Sequence, residues 1–235
     1  MTWSYSRVAS FDDCPYKWFL SYLYRDENGH SLKKKSGFFA EFGSYMHKIL
    51  QMYLSGLLEK ERLSTYYVAH FKENVFSKAP NSKIYMNYFQ QGFHYLDDFS
   101  FPSRSIIGVE EKVDFMFAGR KFTGFVDLIS ENGKLIVTDH KSRTLKPRSK
   151  RSKPTKHDAE LDEYLRQLYV YSAAIKGKYG RYPDILEFNC FRSQAMIQEP
   201  FESKRLYTVE DWASKTIDSI ATNDKWSAKP DYWRC

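Results

Sequence analysis

The chain has 235 residues and a formal net charge of +7, and 42% of its residues are hydrophobic, enough to bury a sizeable core. No apolar run is long enough to cross a membrane, and the first residues lack the basic-then-apolar layout of a signal peptide. Three cysteines are too few for a disulfide framework. We therefore expect one soluble domain over residues 1–235, in a reducing cytoplasm and without a membrane partner.

The first hundred residues have the pattern of helices. Ser4 or Ser6 can cap a first helix, and Pro15 can open a second. The next helix is strongly amphipathic, because its apolar residues recur at three- and four-residue steps: Phe39, Phe42, Met46, Ile49, Tyr53 and Leu57. Two further helices are expected over about 64–77 and 82–98.

After these helices the sequence alternates and becomes β-rich, with turn signals at Ala118-Gly119 and Asn132-Gly133. This pattern predicts a meander of three antiparallel strands. We expect residues 1–104 to form a mainly helical part of the domain and residues 105–235 to form its α/β catalytic core.

The positive charge of the chain is concentrated in one stretch, the basic segment, residues 143–156. It carries seven basic residues and no acid, and the remaining basic and acidic residues balance. Such a segment can bind nucleic-acid phosphates, or it can be a solvated linker or a nuclear-import patch. The candidates for nucleic-acid contact are Arg143, Lys146, Arg148, Lys150, Arg151, Lys153 and Lys156.

A helix follows the basic segment, and its predicted buried stripe consists of Leu161, Leu165, Leu168, Ser172 and Ile175. "DILEFNCFR" and "AMIQEPFE" favour two more strands. Thr208 with Asp211 suggests the start of a last helix that runs through about Ala221. The order of elements predicts an α/β fold with a mixed sheet, rather than the regular alternation of a doubly wound fold.

Two carboxylates and an ammonium interrupt the apolar pattern of the second and third strands. Asp127 lies inside an apolar run, and Asp139 and Lys141 close the next one. Because side chains alternate along a strand, Asp139 and Lys141 share a face with Leu135 and Val137.

Whether Asp127 meets Asp139 depends on the hairpin loop between their strands. A two-residue loop pairs Asp127 with Thr138 and leaves the two aspartates on opposite faces. A three-residue loop with a left-handed Gly133 pairs Asp127 with Val137 and places Asp139 next on the same face. A shared site therefore requires an odd-length loop or a bulge.

Two converging carboxylates repel each other unless a cation lies between them, and hard oxygen ligands favour Mg²⁺ or Mn²⁺. A neighbouring ammonium can stabilise the charge that builds on a phosphate. Asp127, Asp139 and Lys141 therefore fit metal-assisted hydrolysis of a phosphodiester. The alternative is that Asp139 and Lys141 mark the wet end of a strand and Asp127 caps a turn.

Two further pairs extend this hypothesis. His47 lies in an apolar helix, four residues after Gly43, which leaves room beside the ring. Gln167 and Tyr171 are four residues apart on one helix and therefore share a face. Their alternatives are an ordinary core or surface histidine and ordinary helix packing.

Together these residues resemble the RecB-like branch of the PD-(D/E)XK nuclease superfamily, which includes CRISPR-associated RecB-like nucleases and phage relatives. "SYSRVASFDDCPYKWFLSYLY" looks like the opening pattern of that branch, and "GSYMH" resembles its G-x-x-x-H motif. "GFVDLI", "IVTDHKS" and "QLYVY" resemble its G-x-x-D, D-x-K and Q-x-x-x-Y motifs. The motifs occur in family order over residues 4–171.

The resemblance implies a restriction-endonuclease-like mixed sheet flanked by helices, with a helical N-terminal part. It also implies functional roles at the matching positions. The metal ligands would be the side chains of His47, Asp127 and Asp139 and the backbone carbonyl of His140. Lys141 would be the catalytic lysine, with Gln167 and Tyr171 orienting the site or contacting nucleic acid. Many relatives also have an acidic counterpart of Glu110, which we rank below the others.

Many relatives hold an iron–sulfur cluster through one N-terminal cysteine and three C-terminal ones. Only Cys14 and Cys235 match these positions, and Cys190 lies within a predicted strand. Because four thiolates are the usual requirement, we expect no cluster in this chain. Either the cluster has been lost, or the sequence ends where its motif would continue, and plain burial of Cys14 is the simpler explanation.

These patterns lead to the hypothesis of a Mg²⁺- or Mn²⁺-dependent deoxyribonuclease, an exonuclease by resemblance, acting on DNA that is single-stranded or has a free end. The resemblance suggests recombination, repair, phage replication or CRISPR adaptation in the cytoplasm of a bacterial or phage-infected cell. Three alternatives stay open: a catalytically silent nucleic-acid-binding subunit, an RNA-processing or structure-specific nuclease, and a scaffold whose basic segment binds any polyanion. Protein partners and homo-oligomers are also open.

Overall fold

A five-stranded mixed sheet with helices on both sides organises the chain, as the sequence predicted. A computed structural model describes residues 1–32 and 36–229. Within these ranges the α-helices are α1 (Tyr5–Asp13), α2 (Pro15–Tyr22), α3 (Phe38–Leu54), α4 (Leu63–Asn74), α5 (Ser82–Asp97), α6 (Lys156–Tyr179) and α7 (Ser203–Thr222). The strands are β1 (Ser105–Phe117), β2 (Arg120–Glu131), β3 (Leu135–Lys141), β4 (Ile185–Cys190) and β5 (Ala195–Pro200).

Two residues at the N-terminus start helices where the sequence indicated. The Ser4 side chain accepts a hydrogen bond from the backbone N–H of Arg7 and caps α1. Pro15 occupies the first turn of α2, where its missing N–H costs nothing. Among the described helices, none has the length and apolar character that crossing a membrane requires.

The buried face of α3 differs from the predicted stripe at both ends. Phe39 is 46% exposed, because Phe38, one position earlier, takes the core position. Leu57 is 75% exposed and lies beyond the helix, which ends at Leu54. The fully buried residues in between include Phe42, Met46 and Ile49, as predicted.

The sheet has the strand order β1-β2-β3-β4-β5. Strands β1, β2 and β3 form the predicted antiparallel meander, and Ala118 and Gly119 both adopt left-handed backbone angles in the turn between β1 and β2. Strand β4 pairs parallel to β3, so the chain must cross over between them, and α6 provides this crossover. Strand β5 pairs antiparallel to β4 at the other edge.

The loop between β2 and β3 has three residues, 132–134, and Gly133 is left-handed with φ of +63°. The odd loop length that a shared site requires is therefore confirmed. The predicted pairing of Asp127 with Val137 is wrong, because Val137 pairs with Ile129. The third loop residue is Lys134, directly before β3. When the pairing of Ile129 with Val137 is continued along the two strands, Asp127 lies opposite Asp139.

Two hydrophobic cores cover the two sides of the sheet. The larger core lies under α6 and α7 and contains the predicted stripe of α6, and the helical core lies among α3, α4 and α5. Val126 belongs to the larger core, whereas Leu128, only two residues later, belongs to the helical core. The alternation of faces therefore reverses at Asp127, opposite Glu110, whose φ is +48°.

The last helix begins five residues earlier than Thr208. Helix α7 starts at Ser203, and the Thr208 hydroxyl donates to the Lys204 carbonyl inside the helix instead of capping it. The predicted start is wrong because threonine can satisfy its hydroxyl within a helix as well as at its start. Its end at Thr222 agrees with the sequence-based expectation.

A buried ion pair joins the segment before β1 to the centre of the sheet. Arg104 and Glu187 have side chains that are 1% and 0% exposed, with Nη2 2.6 Å from Oε1. Glu187 also accepts hydrogen bonds from Thr138 and Gln198 at 2.7 and 2.6 Å. Its carboxylate is therefore fully surrounded by donors, which a buried charge requires.

We expect Arg104→Ala to lower the free energy of unfolding by about 3–5 kcal/mol, because it leaves the Glu187 carboxylate buried without a counter-charge. Arg120→Ala is the matched control, since its pair with Asp218 is about half exposed and should contribute less than about 1 kcal/mol. Urea unfolding measures both. Equal losses in the two variants would contradict this account of the buried pair.

Candidate metal centre

Helix α3 presents His47 to the end of the sheet. Its Nε2 lies 2.9 Å from the backbone carbonyl oxygen of His140. With the proton on Nε2, the ring donates to this carbonyl, and the Nδ1 lone pair faces Asp127 Oδ2 at 3.5 Å and Glu110 Oε1 at 3.8 Å. Metal-binding histidines commonly donate their second ring N–H to a carbonyl in this way.

His47, Glu110 and Asp127 form a group of potential ligands. Their ligand atoms all lie within 4.8 Å of one another. Glu110 enters the group from β1 with a left-handed backbone, a conformation that is uncommon for a residue with a side chain and that is concentrated at functional sites. The ligand group thus draws on α3, β1 and β2.

The crowding of negative charge in this group favours a bound cation. Burial and the charge of Asp139 raise the pKa of Asp127 to about 7, although the backbone N–H of His140 donates to it at 2.8 Å. Burial lowers the pKa of His47, but the hydrogen bond of Glu110 and the charge of Asp127 outweigh it, and the net shift is upward. Carboxylates crowded in this way fit a divalent ion, which would replace the proton that His47 otherwise takes up.

Asp139 and Lys141 lie beside the ligand group and contact each other. The Lys141 Nζ lies 2.7 Å from Asp139 Oδ2 and donates to Gln167 Oε1 at 2.9 Å. The ammonium also lies 5.6 and 5.9 Å from the ring centres of Tyr164 and Phe188. Lys141 is therefore held on four sides, and the face shared by Asp139 and Lys141 is the one that the alternation predicted.

Tyr171 and His140 occupy the two sides of the sheet next to this pair. Tyr171 packs against Gly124, where any Cβ would lie 2.7 Å from the tyrosine ring, and burial raises its pKa to about 12. The His140 side chain points away, with Nδ1 3.1 Å from Asn189 Nδ2, and burial lowers its pKa. The backbone carbonyl of His140 is bonded to His47 Nε2, and the two imidazole rings meet edge to face with their centroids 5.6 Å apart.

The basic segment is partly anchored to the fold. Leu145 is buried, and the Arg148 guanidinium is bonded to Asp162 at 2.6 Å and to Glu199 at 2.7 Å. Arg143 lies 3.8 Å from Glu160. The basic residues with exposed side chains are Lys146, Lys150, Arg151, Lys153 and Lys156, together with Arg143.

Two residues of the site were not predicted as principal members from the sequence. They are Glu110, in the ligand group, and Tyr164, next to Lys141. For Glu110 the signal lies in the hairpin register, because a two-residue turn at Ala118-Gly119 places this residue opposite Asp127. Tyr164 carried no such signal, because its ring meets Lys141 only through the crossover of α6.

The mixed sheet, with carboxylates and a lysine on neighbouring strands, is the arrangement of a nuclease fold. A family model described as the PD-(D/E)XK nuclease superfamily matches residues 2–235, and the chain belongs to this superfamily. Its members use divalent metals, which agrees with the His47, Glu110 and Asp127 group.

Solved structures also resemble this chain. A crystal structure described as "Putative exonuclease" from Eubacterium rectale is 13% identical, with a TM-score of 0.50, over 94% of this chain and 80% of the other. At this identity the likeness concerns the fold alone. The structure of SSO0001 is 22% identical over 78% of this chain and 88% of the other, with a TM-score of 0.29. The search of curated proteins gave no match.

Two of the three cysteines lie within the described residues. The Cys14 sulfur is buried and accepts long hydrogen bonds from the backbone N–H groups of Lys17 and Lys229, at 3.5 Å each. Cys190 is buried in β4. Cys235, the second position that resembles a cluster ligand, lies outside the described residues.

We expect Mn²⁺ to raise the thermal unfolding temperature of the wild-type protein, by an amount equivalent to about 2.7 kcal/mol at 100 times its Kd. Asp127→Asn should lose most of this gain, because it removes a charged ligand. The matched control is Asp114→Asn, an exposed carboxylate on β1 outside the ligand group. An Asp127→Asn protein that Mn²⁺ stabilises as strongly as wild type would exclude Asp127 from the metal site.

Asp158 fixes the end of the basic segment to α6. It accepts hydrogen bonds from Ser149 N and Thr155 N at 2.7 and 2.6 Å, and both hydroxyls donate to it as well. The two backbone N–H groups hold the pKa of Asp158 well below its ordinary value. Because the folded pKa is depressed, this stabilisation is present above the ordinary carboxyl pKa and is lost as the pH falls through the folded value.

Asp158→Asn should therefore lower the thermal unfolding temperature at neutral pH, and its difference from wild type should narrow below about pH 4. Hydrogen exchange of the basic segment should increase in the same variant at neutral pH. Thermal scans across this pH range measure the effect, with Asp114→Asn as the control. A difference that stays constant with pH would show that the ionised carboxylate is not what anchors the segment.

Proposed function

We propose that this protein is a metal-dependent deoxyribonuclease whose active site is the group described above. The observation that carries the proposal is the convergence of two sets of side chains at one level of the sheet. One set is the ligand group of His47, Glu110 and Asp127, and the other is the Asp139 and Lys141 pair. This combination of cation ligands and a fixed ammonium suits phosphodiester hydrolysis.

The ligand group would hold one or two Mg²⁺ or Mn²⁺ ions, since its donors are carboxylate oxygens and one imidazole nitrogen. Asp139 is close enough for its charge to raise the pKa of both Asp127 and His47. Its carboxylate can therefore serve as a further metal ligand. When bound, the ion supplies positive charge that activates water and stabilises the pentavalent phosphate. The His140 carbonyl keeps the His47 ring in the orientation that binding requires.

Lys141 supplies the second positive charge of the site. Its contacts with Asp139 and Gln167 fix the ammonium before substrate arrives, so little reorganisation is needed when charge builds on the phosphate oxygens. Tyr171 packs on the same face of α6 as Gln167 and limits how far that side chain can move. Gln167 and Tyr171 therefore act as positioning residues in this proposal.

The proposal of DNA as the substrate is supported by the basic segment. Its exposed lysines and arginines lie directly after Lys141, where the backbone of a bound strand would leave the site. The assignment to an end-directed nuclease of the RecB-like branch is supported by the motif order, and the fold is shared with a structure described as a "Putative exonuclease". Recombination, repair, phage replication or CRISPR adaptation in a bacterial cytoplasm is the corresponding setting.

The test is degradation of labelled DNA. With Mn²⁺ we expect wild type to release label from linear single-stranded DNA, to leave a closed single-stranded circle intact, and to be inactive in EDTA. Asp139→Ala and Lys141→Ala should each lower the rate by at least about 100-fold, because the first removes a carboxylate of the metal site and the second removes the positive charge that faces the phosphate. RNA of the same sequence should be degraded more slowly.

Asp114→Asn is again the matched control, since it removes an exposed carboxylate of β1 without touching the site. It should cleave like wild type. Activity that persists in EDTA, or in Asp139→Ala, would contradict the assignment of the active site. Cleavage of the circle would replace the end-directed activity with an internal one.

A further inference from the structure

A groove along α3 leads away from the metal centre. Its first part is a cavity of about 370 Å³ lined by Gly43, Ser44, His47, Lys48, Gln51 and Glu110. A second cavity of about 290 Å³ shares Ser44 and Lys48 with the first and continues to Asn74 and Phe76. The two cavities therefore adjoin at Ser44 and Lys48, and together they are called the α3 groove, which extends from the ligand group to Phe76.

The fold holds Phe76 outward at the far end of this groove. Its side chain is 74% exposed, although Val75 beside it is buried in the helical core. On the other side, the Ser77 N–H and hydroxyl donate to Glu41 at 2.7 and 2.6 Å. Glu41 is itself buried, and the hydrogen bonds to its two oxygens both come from Ser77. The backbone at Phe76 is thus fixed between two anchored neighbours, and its ring extends into solvent.

The lining of the groove suits a nucleic-acid backbone. Ser44, Lys48 and Gln51 are spaced four and three residues apart, so they share one face of α3 over about 10 Å. Hydroxyl, amide and ammonium groups of this kind contact phosphate and sugar oxygens without reading sequence. An aromatic ring at the end of such a path can stack on a base of any identity, provided that the base is unpaired.

We infer that the α3 groove binds a single-stranded segment of the substrate, with Phe76 stacked on an unpaired base and Lys48 on a phosphate. The inference rests on the proposed function, because it assumes that the strand in the groove is the one whose phosphate reaches the metal centre. It adds a residue that selects single strands, at a distance from the reacting groups. Because the Glu41 bonds to Ser77 fix the backbone next to Phe76, the point from which the ring extends needs no reordering on binding, which favours affinity.

The test is binding of a fluorescent single-stranded thymidine oligonucleotide in EDTA, where anisotropy reports affinity without hydrolysis. Phe76→Ala should weaken binding about 5- to 100-fold, the effect of losing one base–aromatic stack. Phe76→Trp should restore it. Lys48→Ala should lower the salt slope of log Kd by about 0.7, the value for one phosphate on a single strand. Tyr207→Ala, an exposed aromatic of α7 outside the groove, should bind like wild type.

Photocrosslinking with a 5-iodouracil oligonucleotide gives a readout that depends on contact alone. We expect the crosslinked peptide to contain Phe76 and to be lost in Phe76→Ala. Unchanged affinity in Phe76→Ala, or a wild-type protein that does not bind the oligonucleotide, overturns the inference. Cleavage with Mn²⁺ is scored separately, so a protein that cleaves normally without Phe76 refutes the groove and leaves the nuclease proposal intact. Phe76-dependent binding without any cleavage would support the groove and contradict the nuclease proposal.

Discussion

Repulsion between carboxylates is the constraint on which the rest of the site depends. Glu110, Asp127 and Asp139 lie at one level of three neighbouring strands, where they are buried or partly buried and like charges repel more strongly than in bulk water. His47, whose pKa these acids raise, lies on one side of them, and the Lys141 ammonium lies on the other. A bound divalent ion would offset the electrostatic free energy that is lost when the acids are brought together.

Two turns set this alignment. The two-residue turn at Ala118-Gly119 puts Glu110 opposite Asp127, and the three-residue loop at 132–134 extends the level to Asp139. A change of one residue in either turn would shift one strand against the next and move an acid to the other face. The left-handed backbone of Glu110 then directs its carboxylate towards His47.

The sequence predicted much of the fold because local signals decide it. Ser4, Pro15, the meander and the stripe of α6 all follow from capping, alternation and helical periodicity. The sequence could not predict that the side chains of β2 exchange faces at Asp127, since strict alternation assumes an unbroken strand ladder. It also could not predict the start of α7, since the Thr208 hydroxyl can form its hydrogen bond inside a helix. Arg148 shows a further limit: its guanidinium is bonded to Asp162 and Glu199, and the charge pattern of the basic segment gave no sign of these two partners.

The parallel crossover has a consequence for how this protein can diversify. Lys141 is fixed at the end of β3, and Gln167 is fixed on α6, whose start is secured by the Thr155 and Asp158 capping box. The exposed part of the chain between Lys141 and the start of α6 therefore serves as a connection that leaves the positions of both residues unchanged. Insertions and deletions there can alter the proposed contacts with nucleic acid without moving the proposed active site, so substrate preference and reaction chemistry could evolve as separate traits.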